Sequence, residues 1–219
     1  MADALTHFEG IFARAYSQLD GSIHILDAFN ETQEENGDPK FTYNTLTEAS
    51  DMGRFAIVLT VASMDDYFTR KYAEIMVKAI KKKGVNTSFT KMLEDAGLDL
   101  AGALELLAME RPYRKIRTLA QNYYQNYTTQ STGKIDKLFE TVGISKLSSH
   151  AQRRSRRKTL ITSVNELVKR RHKIVHSGDL TRTGKIQKID ARTVKRINDI
   201  KLFVECSNTH INAFLKQKS

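Results

Sequence analysis

Two histidines near the C-terminal end of the sequence, His172 and His176, could take part in proton-transfer chemistry, and the cationic Arg171 directly precedes them. A histidine titrates near neutral pH and can give or take a proton. His172 and His176 are four residues apart, so they share one face if the segment is a helix. An arginine that faces a helical core is costly unless a partner or a second chain satisfies its charge. These three residues are therefore the first candidates for a functional site.

The segment that carries them is predicted to be an amphipathic helix. Its apolar residues recur at helical spacing and form one stripe; they are Leu160, Ile161, Val164, Leu167, Val168, Ile174 and Val175. On this wheel Arg171 falls in the middle of the stripe, about 140° from His176. Ser177 and Gly178 predict the end of the helix, because glycine tolerates the left-handed cap. His176 is therefore expected in the last turn, with Arg171 facing inward.

The spacing Arg171-x4-His176 resembles the R-x4–6-H signature of the HEPN superfamily of helical ribonuclease domains. The longer string from Arg170 to Asp179 resembles the RiboL-PSP-type branch, in which a similar string closes the signature helix. Arg170 also satisfies the pattern, with five residues between it and His176. Arg171 is preferred as the motif arginine, because the wheel turns it inward and His172 follows it directly.

The resemblance implies a metal-independent endoribonuclease without a cofactor. His176 would act as general base on the ribose 2′-hydroxyl or as general acid to the leaving 5′-oxygen, and the products would carry 2′,3′-cyclic phosphates. Arg171 would bind the phosphate and steady the charge that develops on it. His172 could orient the nucleophile or the arginine, and Ser177 could add a hydrogen bond, although a serine at this point usually caps the helix.

The longest predicted helix, from about Asn44 to Lys82, has an apolar centre and is typical of the central helix of a bundle. Asp65 falls within its apolar stripe, where a carboxylate needs a cationic partner, and Arg171 is the candidate. The segment from Ser63 to Phe68 resembles the family's x-E-x-Y segment, with aspartate in place of glutamate. The resemblance implies that Asp65 holds Arg171 in place. The alternatives are an ordinary buried ion pair, or an Asp65 that lies only at the edge of the stripe.

A run of positive charge lies at the start of the signature helix. It consists of Arg153, Arg154, Arg156, Arg157 and Lys158. Cations at a helix N-terminus are unfavourable to the helix dipole, so the run either carries a local cost or lies just outside the helix. It is the best candidate for contact with an RNA phosphate backbone, and a basic surface turn is the alternative reading.

Composition and charge narrow the function classes. The net charge of +10 and the pI of about 9.6 favour polyanionic partners: RNA, DNA or anionic membranes. The single cysteine, Cys206, excludes an intrachain disulfide framework and a cysteine-rich zinc site. The longest apolar run, from Phe55 to Met64, is too short to span a bilayer, and the start of the chain lacks the features of a signal peptide. A cytoplasmic protein without membrane contact is expected.

The fold is expected to be all-α: a single HEPN-like domain over residues 1–219, built as an up-and-down helical bundle with extra short helices in the middle. A first helix is predicted from about Ala4 to Phe29 and a last helix from about Asp190 to Leu215, which should pair with the signature helix as an antiparallel hairpin. Ser145 to Gln152 is predicted to be a polar link.

The resemblance further implies a homodimer in which each protomer contributes an arginine and a histidine to a composite cleft. It also suggests a role in host defence or a toxin system, with an inhibitory or antitoxin protein as a partner. Two other interpretations stay open. One is a non-catalytic HEPN dimer that binds RNA or nucleotides or serves as an interaction module. The other is a helical structural protein in which Arg171 and Asp65 pair for packing alone.

Overall fold

The described part of the chain is helical because its apolar residues recur at helical spacing. The computed structural model describes residues 3–36, 43–125, 131–181, 183–184 and 186–216. In these residues it contains nine helices: α1 (Ala4–Asn36), α2 (Tyr43–Lys83), α3 (Thr87–Asp95), α4 (Leu100–Ala108), α5 (Pro112–Gln125), α6 (Thr132–Glu140), α7 (Leu147–Ser155), α8 (Leu160–Ser177) and α9 (Ala191–Lys216). The all-α prediction is confirmed, and α3 to α7 are the short helices in the middle.

The α2 helix is central, as its apolar composition predicts. It packs against α1, α5, α6, α8 and α9. The predicted stripe is buried along its full length, at Ile57, Val61, Met64, Phe68, Tyr72 and Ile75. The Phe68 ring lies between Phe139 of α6 and Phe203 of α9, with centroids 5.8 and 5.6 Å away. Within the described residues, no helix has a stretch long and apolar enough to cross a membrane.

The first half of α2 is closely packed at Gly53. A Cβ atom added there would lie 2.8 Å from Cγ1 of Ile189 and 3.0 Å from Oγ of Ser22. The Ser22 hydroxyl is itself fixed, because it donates a hydrogen bond of 2.6 Å to the carbonyl oxygen of Ala49. A side chain at position 53 would therefore push α1 and the segment before α9 away from α2.

Gly53→Ala is expected to destabilise the protein by about 1–3 kcal/mol, the usual cost of overpacking a core. The measurement is the free energy of unfolding in urea. Gly10→Ala is the matched control, because a Cβ atom on Gly10 of α1 meets nothing within 4 Å. In the control, alanine should stabilise the helix by about 0.5–1 kcal/mol. Equal effects of the two substitutions would contradict the close packing at Gly53.

The α8 and α9 helices pair as the predicted antiparallel hairpin. Polar contacts join them at three successive levels: Ser163 Oγ donates to Asp199 Oδ2 at 2.6 Å, Glu166 forms an ion pair with Arg196, and Arg170 Nη1 donates to Thr193 Oγ1 at 2.6 Å. Asp190 caps α9, accepting a hydrogen bond of 2.8 Å from the Thr193 amide. These contacts fix the register of α8, which carries the candidate residues.

The prediction of a polar link from Ser145 to Gln152 is wrong, because α7 occupies most of that segment. Only a few of its side chains are apolar, yet Leu147 and Ala151 are both buried. They lie four residues apart and therefore on one face, which α7 packs against α9. The helix is thus formed by tertiary packing, a contribution that the local composition does not report.

Candidate active site on the α8 helix

The end of α8 is formed as the sequence predicts. The helix stops at Ser177, and Gly178 follows in the left-handed conformation with φ +62°. The Gly178 amide donates to the carbonyl oxygen of Ile174 at 3.2 Å, and the Asp179 amide donates to that of Lys173 at 3.3 Å. The Ser177 hydroxyl also donates to the Lys173 carbonyl oxygen, at 3.0 Å. Ser177 is thus the last residue of the helix and Gly178 is its C-cap, and a hydrogen bond from Ser177 to a substrate stays a prediction.

The two histidines share one face of α8, as predicted. The ring centroids of His172 and His176 are 4.2 Å apart, with the ring planes inclined at 50°. Both side chains are exposed, and so are those of Lys169 and Lys173. The solvent-exposed face of the last two turns therefore carries two imidazoles and two ammonium groups, a combination that can exchange protons and attract a polyanion.

Arg170 lies at the centre of a buried polar network. Its Nη2 atom is 2.8 Å from Oδ2 of Asp179 and 3.0 Å from the carbonyl oxygen of Lys188. Its Nη1 atom donates to Thr193 Oγ1, and that hydroxyl donates to Asp190 Oδ1 at 2.7 Å. Burial raises the pKa of Asp190, but the hydrogen bonds from Thr193 and the charge of Arg170 outweigh burial and lower it. Arg170 thus ties α8 to the segment that leads into α9.

Asp179 is shared by two buried guanidinium groups. Besides Arg170, it faces Arg54 of α2, whose Nε atom lies 3.6 Å from Asp179 Oδ2. Arg54 also donates to Asp51 Oδ1 at 2.8 Å and to the Gln187 carbonyl oxygen at 3.3 Å. Asp179 is completely buried in the left-handed conformation, with φ +62°. The carboxylate therefore links α2, α8 and the residues after α8 in one ion cluster: Arg54, Arg170 and Asp179.

The burial of the two candidate arginines is the reverse of what the helical wheel predicts. Arg170 is the deeply buried one, with 8% of its surface exposed, whereas Arg171 is half-buried. The expectation that Arg171 occupies the centre of the buried stripe is therefore wrong. The physical reason is the buried Asp179 carboxylate, which accepts hydrogen bonds from Arg170 and offsets the cost of burying its charge. Arg171 lies nearer to solvent, on the side of α8 that carries Val168 and Val175.

Asp65 is half-buried on α2, a helix that packs against α8. It lies eleven residues beyond Arg54, about 16 Å along the helix axis. Arg54 of the same helix reaches the ion cluster at the end of α8. The supporting role of Asp65 stays a prediction.

The basic run lies outside α8 and avoids the dipole cost. Arg153 and Arg154 are in the last turn of α7, where cations are favourable, and Arg156 ends that helix in the left-handed conformation. Arg157 forms an ion pair with the buried Asp199 of α9. Arg153, Arg154, Arg156 and Lys158 are exposed. Four of the five cations are therefore on the surface, while Arg157 holds the start of α8 against α9.

Sequence reasoning missed a second histidine pair beside the basic run. The rings of His150 in α7 and His210 in α9 stack with centroids 3.9 Å apart, and Arg153 lies 3.0 Å from His150 Nδ1. Burial lowers the pKa of both imidazoles, and the charge of Arg153 lowers each further. The two histidines are sixty residues apart in the chain, so no local pattern predicts the pair. The ion cluster was missed for the same reason.

A comparison with protein families identifies a match over most of the chain. The model of the family described as RiboL-PSP-HEPN matches residues 21–213. The matched range contains α2 to α8 and most of α9, and therefore both candidate arginines and the exposed histidines. No curated protein and no solved structure matches the chain significantly.

Proposed function

The chain belongs to the RiboL-PSP-HEPN family, and from this premise we propose that it is a metal-independent endoribonuclease that leaves 2′,3′-cyclic phosphate ends. Membership supports an RNA-related function, and the arrangement at the end of α8 supports the chemistry. The observation that carries the proposal is the exposed His172–His176 pair, 4.2 Å between ring centroids, on the helix that also carries Arg171.

The proposed reaction needs one base, one acid and a cation. His176 removes the proton of the ribose 2′-hydroxyl, whose oxygen then attacks the adjacent phosphorus, or it donates a proton to the 5′-oxygen that leaves. The second proton transfer falls to the other histidine of the pair or to a histidine of a second copy. Arg171 donates hydrogen bonds to the phosphate oxygens and stabilises the additional negative charge of the transition state.

A second copy of the chain is proposed to complete the cleft. Arg171 and His176 lie about 140° apart around α8, so one helix does not direct both side chains at a single phosphate. Val175 lies between them around the helix and is about half exposed, as are Leu180 and Ile186 just after α8. Exposed apolar side chains next to the candidate site suit a dimer interface, in which two α8 helices related by a two-fold axis bring an arginine and a histidine together.

The test of the activity is cleavage of labelled total RNA by the purified protein in EDTA, followed by analysis of the 3′ ends. Cleavage that leaves 2′,3′-cyclic phosphates is expected. Cleavage that stops in EDTA, or that leaves 3′-hydroxyl ends, would overturn the mechanism.

The exposed cations of the basic run are proposed to contact the RNA backbone. The test uses Arg153→Gln/Arg154→Gln in a His176→Ala background, which prevents cleavage during the binding measurement. The double substitution should lower the slope of log affinity against log salt by about 1.4, because each phosphate contact with a single strand contributes about 0.7. The measurement is fluorescence anisotropy with a labelled single-stranded RNA at several salt concentrations. Lys78→Gln/Lys91→Gln removes the same charge from exposed positions on α2 and α3 and should leave the slope unchanged. An equal fall in both variants would assign the effect to net charge.

A non-catalytic HEPN dimer that binds RNA is the second candidate function. It is favoured by the ion pair between Arg170 and Asp179, because one of the two arginines that satisfy the family signature is engaged in packing. Under this alternative the protein binds RNA and cleaves none, and Arg171→Ala leaves the dissociation constant unchanged.

A further inference from the structure

A small basic cavity lies beside the exposed histidines, where α8 packs against α9. Its volume is about 200 Å³. It is lined by Glu166, Lys169, Arg170, Lys173, Gln187 and Arg196. Four of these six side chains are cationic and one is acidic, so the cavity attracts anions.

The ion pairs at this cavity do not neutralise all of its positive charge. Glu166 is paired with Arg196, and Arg170 is paired with Asp179. Among the described residues, neither Lys169 nor Lys173 has a carboxylate within ion-pair distance, and both are exposed. The ammonium groups of Lys169 and Lys173 are therefore available to a ligand. The two arginines of the cavity are already held in place by their acidic partners.

The cavity lies next to the candidate active site on α8. Lys169 precedes His172 by three residues and Lys173 precedes His176 by three, so each lysine is a helical neighbour of one histidine, at about 5–6 Å between Cβ atoms. The exposed face of α8 thus has the histidines on one side and the cavity on the other. An extended polyanion that crosses this face would meet both.

The size and the lining of the cavity indicate a phosphate group. Pockets for whole small molecules usually have about 300–1,000 Å³ and mostly apolar walls. This cavity is smaller and polar, and none of its lining residues is aromatic, so it offers no aromatic ring on which a base could stack. Lysine binds phosphate as a point charge and arginine through paired hydrogen bonds. Recognition here should therefore not depend on base sequence.

We propose that this cavity is a phosphate subsite for the RNA backbone, which holds a phosphate neighbouring the one at His172 and His176. The inference rests on the proposed function for its substrate class. Lys169 and Lys173 are the principal contacts, and Arg196 forms the opposite wall from α9, oriented by Glu166. The subsite anchors the strand and does not touch the reacting atoms, so it affects binding more than the chemical step.

The test compares substrates with one phosphate and with many. Lys169→Gln/Lys173→Gln should raise KM for a labelled 12-nucleotide RNA about tenfold or more and leave kcat within about twofold, because binding shared by ground and transition state is lost. With a dinucleoside monophosphate, whose single phosphate occupies the histidine site, KM should not change. The Lys78→Gln/Lys91→Gln variant should behave as wild type on both substrates. An equal rise in KM for both substrates, or no rise for either, would overturn the subsite.

A binding measurement separates failure of the subsite from failure of the nuclease proposal. In the His176→Ala background, the lysine substitutions should lower the salt slope for the 12-nucleotide RNA by about 0.7 for the one phosphate contact. That fall in a protein whose wild type cleaves no RNA would support the subsite and overturn the nuclease. An unchanged slope alongside active wild-type enzyme would overturn the subsite alone. A third outcome is that inorganic phosphate binds the wild type but not the lysine variant, while the salt slope for RNA binding is unchanged. That result would assign the cavity to a free anion and overturn the RNA subsite.

Discussion

His176→Ala is expected to reduce RNA cleavage by about 10²–10⁴-fold, the usual contribution of a positioned general acid or base. The imidazole is exposed at the end of α8, so its removal leaves no cavity in the core and the fold should persist. The measurement is the initial rate of cleavage of a labelled RNA in EDTA, together with the melting temperature of each protein. RNA affinity should remain close to that of wild type, because the lost interaction belongs to the chemical step.

The chain offers a matched control for this substitution. His150→Ala removes an imidazole that stacks on His210 and lies outside α8. It should leave the cleavage rate within a factor of about three, since it takes no part in acid–base chemistry at the α8 face. Wild-type cleavage by His176→Ala, with contaminating nuclease excluded by repeated purification, would remove His176 from the mechanism. Equal losses in the two variants would point to a common effect on structure.

Asp179→Ala is expected to destabilise the protein by about 3–5 kcal/mol, the cost of leaving buried charge without its partner. Arg54 and Arg170 both face the Asp179 carboxylate, which is completely buried, so its loss brings two guanidinium groups together without a counter-charge. Alanine is also strained at the left-handed backbone of this position, where asparagine is better tolerated. The measurement is the free energy of unfolding from urea titration.

Two controls divide this effect into its causes. Asp179→Asn keeps an oxygen acceptor and tolerates a positive φ. The destabilisation measured for this variant is therefore the part that is due to the lost negative charge. Asp51→Ala removes the other carboxylate that contacts Arg54, but Asp51 is exposed, and its loss should cost no more than about 1 kcal/mol. If Asp179→Ala and Asp51→Ala proved equally mild, the ion cluster would not contribute to stability in the way its burial indicates.

Features that depend on local sequence could be predicted. The buried stripe of α2 follows from the spacing of its large apolar residues, and the end of α8 follows from Gly178, since few other residues adopt its backbone conformation cheaply. The shared face of His172 and His176 is a consequence of helical geometry alone. The existence of the long helices and the end of the signature helix therefore needed no tertiary information.

Features that depend on contacts between distant segments could not be predicted. A helical wheel turns Arg171 inward, and the burial of Arg170 instead depends on Asp179, which reaches Arg170 only after the chain turns past Gly178. Arg54 is more than a hundred residues from its partner Asp179. Lys169 and Lys173 line a basic cavity only because Arg196 of α9 lines it with them.

Apolar spacing also predicts more burial than the structure provides in α4. Leu100, Leu104 and Leu107 recur at helical spacing, yet they are 77%, 58% and 83% exposed. The short helix buries Leu106 instead and turns its leucine-rich side outward. Periodicity identifies a face of a helix, but the neighbouring elements decide which face is covered.

The cluster of Arg54, Arg170 and Asp179 has a consequence for the histidines next to it. The last turn of a helix commonly frays, and side chains on a fraying turn lose conformational entropy when a ligand orders them. In α8 that turn is fixed from within by its capping hydrogen bonds and from outside by a carboxylate shared with the central helix. We therefore expect the backbone that carries His172 and His176 to be ordered before RNA binds, so that the free energy of binding is not spent on ordering it.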